Sequence, residues 1–206
     1  MTDEHATSTV QVYPVRSDAD IAVARLAADG IAASVRQDDE GGLNPGFFKR
    51  YGVRVEVRVE DLEDAYESLG IERVHVPAEI AEAMFRHAGW ALPDEACGLI
   101  AVDDDGRLAF AMCLTNTDRS PRRFTIDPVE HFGAIRFCES IGLRIGAVFH
   151  SHVTSEAVPS RTDIEAGLGV DWLQFIVGPV LGQGTLLRAF RIVDGVVEEA
   201  SVVVQA

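Results

Sequence analysis

Positive charge is scarce in this chain: 18 lysines and arginines stand against 33 aspartates and glutamates, leaving a net charge of −15. That balance argues against non-specific binding to nucleic acid or to an anionic membrane surface, since both are polyanions. Cysteine is rare as well. Cys97, Cys113 and Cys138 are too few and too scattered for a disulfide framework or a CxxC zinc site. Long apolar runs are missing: nothing approaches the roughly 18 consecutive residues that suggest a membrane span. The opening "MTDEHATSTV" has neither the basic nor the apolar region of a secretory signal. These absences predict a reducing, cytoplasmic location. There is no internal repeat and no low-complexity segment. What is present is a globular composition, 47% apolar and 25% charged, long enough for one large or two small cores.

Patterning divides the chain near residue 76. Residues 1–9 read as a loose polar tail, with His5 solvated. From residue 10 the order is strand ("VQVYPV"), helix ("SDADIAVARLAADG"), strand ("IAASVRQ"), strand ("VRVEVRV") and helix ("EDLEDAYESLG"). Ser17 is the expected N-cap of the first helix, with Ile21, Ala24 and Leu26 in its apolar stripe. The turn-rich "DDEGGLNPGFFKRYG" between the two later strands reads as a connection. Residues 10–76 are thus expected to form a small βαββα domain. Residues 77–206 add a helix ("AEIAEAMFRHAG"), a hairpin ("CGLIAV", "LAFAMCL"), a strand ("RRFTID") and a helix that starts at Pro128. An apolar strand ("IGAVFHSH"), a helix start ("SRTDIEAGL") and three further strands complete it. The whole is an α/β (α+β) protein whose strand at 145–149 lacks alternation, as expected of a strand buried on both faces.

The chemistry-bearing residues sit where that strand ends. His150 and His152 are two apart, so on a strand both leave the same face, about 6.5–7 Å apart at Cα. Two imidazoles so placed can reach one zinc at about 2.0–2.1 Å. An HxH pair alone is weak evidence, because hydrogen-bonded or exposed histidines usually explain one. Downstream, "SRTD" has two readings. Ser160 with an acid three residues later is close to a capping box. The same i, i+3 spacing also turns Ser160 and Asp163 toward a common point, where Asp163 supplies a third ligand and a fourth position stays open for water. A catalytic zinc then needs a nearby carboxylate that is not a ligand. Glu95 in "LPDEACGLI" is the candidate, and adjacent Asp94 is the alternative.

Together, Glu95 at the start of the "EACGL" strand and the later H-S-H, seven residues, S, two residues, D resemble the JAMM (MPN-plus) zinc metallopeptidases, with no motif position departing. "PDEACGLI", "TNTDRSPRRFTID", "FHSHVTSEAVPSRTD" and "FRIVDGVVEE" resemble the bacterial Mec-like branch. That resemblance implies a JAMM-type mixed β-sheet flanked by helices over residues 77–206, and a Zn2+ cofactor on His150, His152 and Asp163. It implies Glu95 as general base and then acid, and Ser160 as donor to the oxyanion. It also implies hydrolysis of a peptide or isopeptide bond at the C-terminus of a ubiquitin-like sulfur carrier protein, releasing cysteine. Asn116, Ser120, Phe124 and Thr154 are expected near the substrate. His75, His87, His131, Trp90 and Trp172 read as structural or exposed. The segment at 10–76 loosely resembles prokaryotic signal-transducing domains, which leaves carrier docking, signal binding or self-association as a homodimer open for it. Two competing readings remain. A non-catalytic JAMM-like interaction module is opposed by the complete residue set. Other HxH hydrolases lack the chain length, the HxHxDH pattern or the HExxH helix that they need.

Overall fold

Strict alternation in "VRVEVRV" makes it a strand with one wet and one dry face, and it becomes the middle of a three-stranded sheet. The structure is a computed structural model that describes residues 6–13, 15–37, 53–165, 172–181 and 185–205. Its contacts divide the chain into two compact units, 1–72 and 73–206. In the first unit β1 (Thr7–Tyr13), β2 (Ala33–Gln37) and β3 (Val53–Arg58) pair antiparallel in the order β1-β3-β2. Val53, Val55 and Val57 turn inward and are buried. They pack with α1 (Arg16–Ala28) through Ala19, Ala22 and Leu26, and with α2 (Leu62–Leu69) through Ala65 and Tyr66. Each fully buried Val or Leu among them contributes about 1.5–3 kcal/mol of apolar transfer.

Three local expectations fail here. The strand starts at Thr7, inside the expected tail, because Thr7 pairs with Arg58 across the sheet. Val15, not Ser17, precedes α1, and the Ser17 hydroxyl bonds Asp18. Ile21 is 68% exposed, since the helix turns its small residues toward the sheet. The "GGLNPGF" loop lies outside the described residues.

The second unit contains seven strands: β4 (Arg73–Pro77), β5 (Cys97–Val102), β6 (Leu108–Leu114), β7 (Arg144–Ser151), β8 (Leu173–Gly178), β9 (Leu186–Val193) and β10 (Val196–Gln205). They form one mixed sheet in the order β4-β10-β9-β8-β7-β5-β6. β7/β8 and β10/β4 are parallel, and the other pairs are antiparallel. α3 (Ala78–Ala91) covers one face, where Ile80, Met84 and Ala88 meet Phe149 and Phe175. α4 (Pro128–Ser140) covers the other, where Ala134 and Cys138 meet Leu99 and Val148. β7 is central, which explains its unbroken apolar run. α4 is capped by Asp127, whose carboxylate accepts from the Val129 and Glu130 N–H groups.

Two further expectations change in this unit. "VHV" belongs to the second unit and not to the end of the first, because Arg73–Pro77 pairs with β10 at the far end of the sequence. "RRFTID" is not a strand; within loop 115–127 its pairing is limited to isolated bridges, Asn116 with Ile126 and Ser120 with Arg123. A polar side chain explains that. Asn116 spends its amide on the loop's own backbone, donating to the Arg123 carbonyl and accepting from the Asp118 and Thr125 N–H groups.

Candidate active site

His150 is near the C-terminal end of the buried strand β7, and His152 follows just beyond it. The carboxyl end of a parallel strand in a two-faced sheet is where side chains can leave the core toward a crevice. Both residues are nonetheless nearly inaccessible, at 0% and 4% exposure. Their Nε2 atoms lie 3.2 Å apart. The His152 backbone N–H donates to the Val177 carbonyl, and its ring Nδ1 lies 2.6 Å from the Glu156 carbonyl oxygen. A carbonyl can only accept, so Nδ1 carries the hydrogen and Nε2 presents its lone pair to the site. Gly178 lets the chain pass here: a Cβ would sit 2.9 Å from the His152 Cβ and 3.2 Å from the Ser155 carbonyl oxygen. His150 Nδ1 is buried without a hydrogen-bond partner among the described residues. Stacking on Phe124, with centroids 4.7 Å apart, orients that ring instead.

Asp163 comes from α5 (Arg161–Glu165), the one-turn helix between β7 and β8. Its Oδ1 is 3.5 Å from His150 Nε2, and its Oδ2 is 3.6 Å from His152 Nε2. In "SRTD" the capping geometry is present, and the capped carboxylate also faces the histidines. Asp163 Oδ2 accepts from the Ser160 N–H at 2.6 Å, while the Asp163 N–H donates to Ser160 Oγ at 3.3 Å. This reciprocal cap fixes the rotamer that aims the carboxylate at the histidines. The Ser160 hydroxyl accepts in this contact, so its own hydrogen remains available to donate.

His150, His152 and Asp163 are the group of potential metal ligands found among the described residues, and their ligand atoms all lie within 4.8 Å of one another. Bonds of about 2.0–2.1 Å at a tetrahedral angle separate ligand atoms by roughly 3.3 Å. The observed 3.2, 3.5 and 3.6 Å fit that spacing. The chemistry fits too. Two imidazole nitrogens and a carboxylate converge in a nearly dry space, where lone pairs facing one another call for a cation.

Electrostatics sort the remaining groups. Burial pushes Asp163 upward, but in the metal-free site the neighbouring His150 and His152, when protonated, together with the Ser160 N–H outweigh it and hold the carboxyl well below the usual carboxylate range. Burial holds His150 below the usual imidazole value. Burial opposes charge on His152 too, yet the neighbouring Asp163 carboxylate, the Glu156 carbonyl at Nδ1 and the charge of Glu95 raise it. Glu95 is only 4% exposed. Burial pushes it up to about 7, with His152 pulling it down and Asp163 adding to the rise. It is therefore within electrostatic reach of the cluster. Asp94 is part-exposed and lines a recess with His87, Cys113 and Glu95 itself.

The Glu95 backbone is clamped from three sides. Its N–H donates to the Ser120 carbonyl, its carbonyl accepts from Asn116 Nδ2, and the next N–H, of Ala96, donates to Ser151 Oγ at 2.8 Å. Asn116 and Ser120, expected near substrate, thus act on the loop and on Glu95, and the Asn116 amide has little left to offer a ligand. Phe124 reaches the site through His150. Thr154 is exposed on the following loop. Sequence reasoning gave Ser151 no role, although a hydroxyl between two buried histidines was a usable signal. It also passed over Gln174, the polar residue in the otherwise apolar "WLQFIVG".

This arrangement has a family. The family described as prokaryotic homologs of the JAB domain matches residues 77–193, more than half of the chain, and the chain belongs to it. Among relatives, the chain is similar to the CysO-cysteine peptidase of Mycobacterium tuberculosis, with 35% identity over 128 residues covering 62% of this chain and 88% of that protein. It is also similar to a desampylase of Haloferax volcanii, with 30% identity over 113 residues covering 52% and 81%. Among solved structures, protein DSY2949 of Desulfitobacterium hafniense has 29% identity and a TM-score of 0.59, covering 64% of this chain and 92% of that one. No helix among the described residues is long and apolar enough to cross a membrane.

Proposed function

We propose that the C-terminal unit is a zinc-dependent peptidase that hydrolyses a peptide or isopeptide bond at the C-terminus of a ubiquitin-like sulfur carrier protein, with cysteine as the released group. The observation that carries this reading is the convergence of His150, His152 and Asp163 beside a buried glutamate held near neutrality. The relatives' printed activities, CysO-cysteine peptidase and desampylase, support it. His150, His152 and Asp163 are the residues that would hold zinc. The chemistry a bound zinc supplies is Lewis-acid polarisation of the scissile carbonyl and a lowered pKa for water.

The chain's own groups do the rest. Glu95 takes a proton from the attacking water as the new C–O bond forms. It returns that proton to the nitrogen as the C–N bond breaks, so no covalent enzyme intermediate is needed. A carboxyl beside the cluster that is not itself a ligand is free to take the proton and to return it. Ser160 donates its hydroxyl hydrogen to the carbonyl oxygen as negative charge develops there. Asn116, Ser120 and Ser151 hold the Glu95 backbone in place. We assign the N-terminal unit an accessory role, because its described residues contain no comparable ligand group.

The test is to incubate the zinc-loaded full chain with ubiquitin-like carriers bearing a C-terminal cysteine or an isopeptide-linked lysine, and to read the intact masses. Loss of the terminal group with wild type but not with Glu95→Gln is the expected result. Carriers left whole by both proteins would remove the peptidase assignment.

A further inference from the structure

The recess beside Glu95 carries charge of both signs. Asp94 and Glu95 line it together with Arg119, and Ala91, Ala96 and Leu114 supply apolar surface. Its volume is about 340 Å3, near the lower end of the roughly 300–1,000 Å3 that enclose a whole small molecule. Chain connectivity explains the juxtaposition. Glu95 lies just before β5, and its backbone is tied to Asn116 and Ser120 of loop 115–127. Arg119 lies between those two anchors and is carried to the same recess. It holds φ +46°, a left-handed conformation that residues with side chains rarely adopt. Asp118, the acid beside it in sequence, is engaged elsewhere, with Arg123 at 3.6 Å and with the Thr125 hydroxyl.

The chemistry of release selects what belongs there. Glu95 gives its proton to the scissile nitrogen, so that nitrogen is beside Glu95 when the bond breaks. In a chain-terminal residue the carbon next to this nitrogen bears a free carboxylate. Arg119 offers that group a planar fork of donors. A carboxylate alone would also meet the like charge of Asp94, whereas a zwitterion presents an ammonium to the two acids and a carboxylate to the guanidinium. Small Ala91 and Ala96 suit a short side chain such as that of cysteine. An isopeptide-linked lysine differs, because the carbon next to its leaving nitrogen bears only hydrogens.

We propose that this recess receives the released amino acid, with Arg119 binding its free α-carboxylate and Asp94 and Glu95 facing its amino group. Arg119 is then the residue that selects a terminal cysteine, joined through its α-nitrogen, over an isopeptide-linked lysine or an internal bond. That a residue is released here rests on the peptidase reading; the preference of the recess for an amino-acid zwitterion does not.

The test reads binding first. The probes are S-methyl-L-cysteine, which has no thiolate to offer a metal, its amide and its N-acetyl derivative, each added to the full chain and followed by ligand-detected NMR. S-methyl-cysteine should bind at least ~10-fold tighter than either derivative. Arg119→Gln should bring the amino acid down to its amide, and Arg119→Lys, which keeps the charge, should restore part of the difference. Asp94→Asn should narrow the margin over the N-acetyl derivative. On a carrier that the zinc-loaded chain cleaves, Arg119→Gln should also abolish the preference for a terminal cysteine over a terminal cysteinamide. Equal affinity for the amino acid and its amide, or a difference that survives Arg119→Gln, overturns the subsite. A chain that cleaves a carrier without favouring the acid over the amide keeps the peptidase reading and loses this one; a chain that binds the zwitterion selectively and leaves every carrier whole does the reverse.

Discussion

Glu95→Gln separates what the buried carboxyl does for chemistry from what it does to stability. In the metal-free protein, burial lifts Glu95 from 4.5 to about 7. At 1.36 kcal/mol per unit, that difference corresponds to roughly 3 kcal/mol. The sign follows from proton binding. Between about 4.5 and 7 the folded chain holds a proton that the unfolded chain has released, so the stability contribution is fully present below 4.5 and is lost as pH rises through about 7. Glutamine carries no charge at any pH. With chelator present, Glu95→Gln should match wild type near pH 4.5 and exceed it by about 3 kcal/mol at pH 8. Asp163, depressed by its hydrogen bonds, contributes stability that disappears only as pH falls below its ordinary 3.8, outside this window. His152, raised by Asp163, the Glu156 carbonyl and the Glu95 charge, loses its contribution above 6.5 in both proteins, and that contribution is smaller in the variant because the Glu95 charge is gone. Trp90 and Trp172 both belong to the second unit, so tryptophan emission in urea reports the unit that contains the site. A 3 kcal/mol gain moves the midpoint by roughly 1–2 M. A gain that is the same at pH 5 and pH 8, or a loss at pH 8, would refute the claim that Glu95 is strained by burial.

Other perturbations test the remaining parts. His152→Ala should leave the purified chain without stoichiometric zinc by atomic absorption after dialysis; wild-type content would contradict its role as a ligand. Ser160→Ala removes the hydroxyl donor and one half of the cap. Turnover should fall by about 10²–10³ and unfolding free energy by about 0.5–2 kcal/mol, and a stability loss with full turnover would leave only the cap. Asn116→Ala should lower kcat with KM little changed, because it frees the Glu95 carbonyl without touching substrate; a pure KM effect would return Asn116 to the substrate groove. Gly178→Val should impair zinc retention, since its side chain meets His152 and the Ser155 carbonyl, and unchanged zinc affinity would show that the loop yields freely.

Much of this molecule was legible locally. Alternation gave β3, the unbroken apolar run gave β7 as a two-faced central strand, and Pro128 marked the start of α4. The spacing of Ser160 and Asp163 makes a helix cap, and the capped Asp163 carboxylate also faces the histidines. Local reasoning failed where pairing was remote. "VHV" looked like the end of the first unit because β10, its partner, lies more than a hundred residues downstream. "RRFTID" had the composition of a strand, but Asn116 drew its backbone into a loop.

By itself the sequence determined which side chains carry lone pairs and charge, and their spacing within each segment: two histidines on one strand face, a serine and an aspartate on one helical turn. Tertiary structure decided that Glu95 is buried and feels the charge of His152 and Asp163, that the Asn116 amide holds its backbone, and that Leu99, Val148 and Gln174 share a row two residues along from Cys97, His150 and Ile176. The reason is that spacing along a strand or helix is fixed by covalent geometry and local hydrogen bonds. Burial and cross-strand neighbours exist only after segments far apart in the chain have paired.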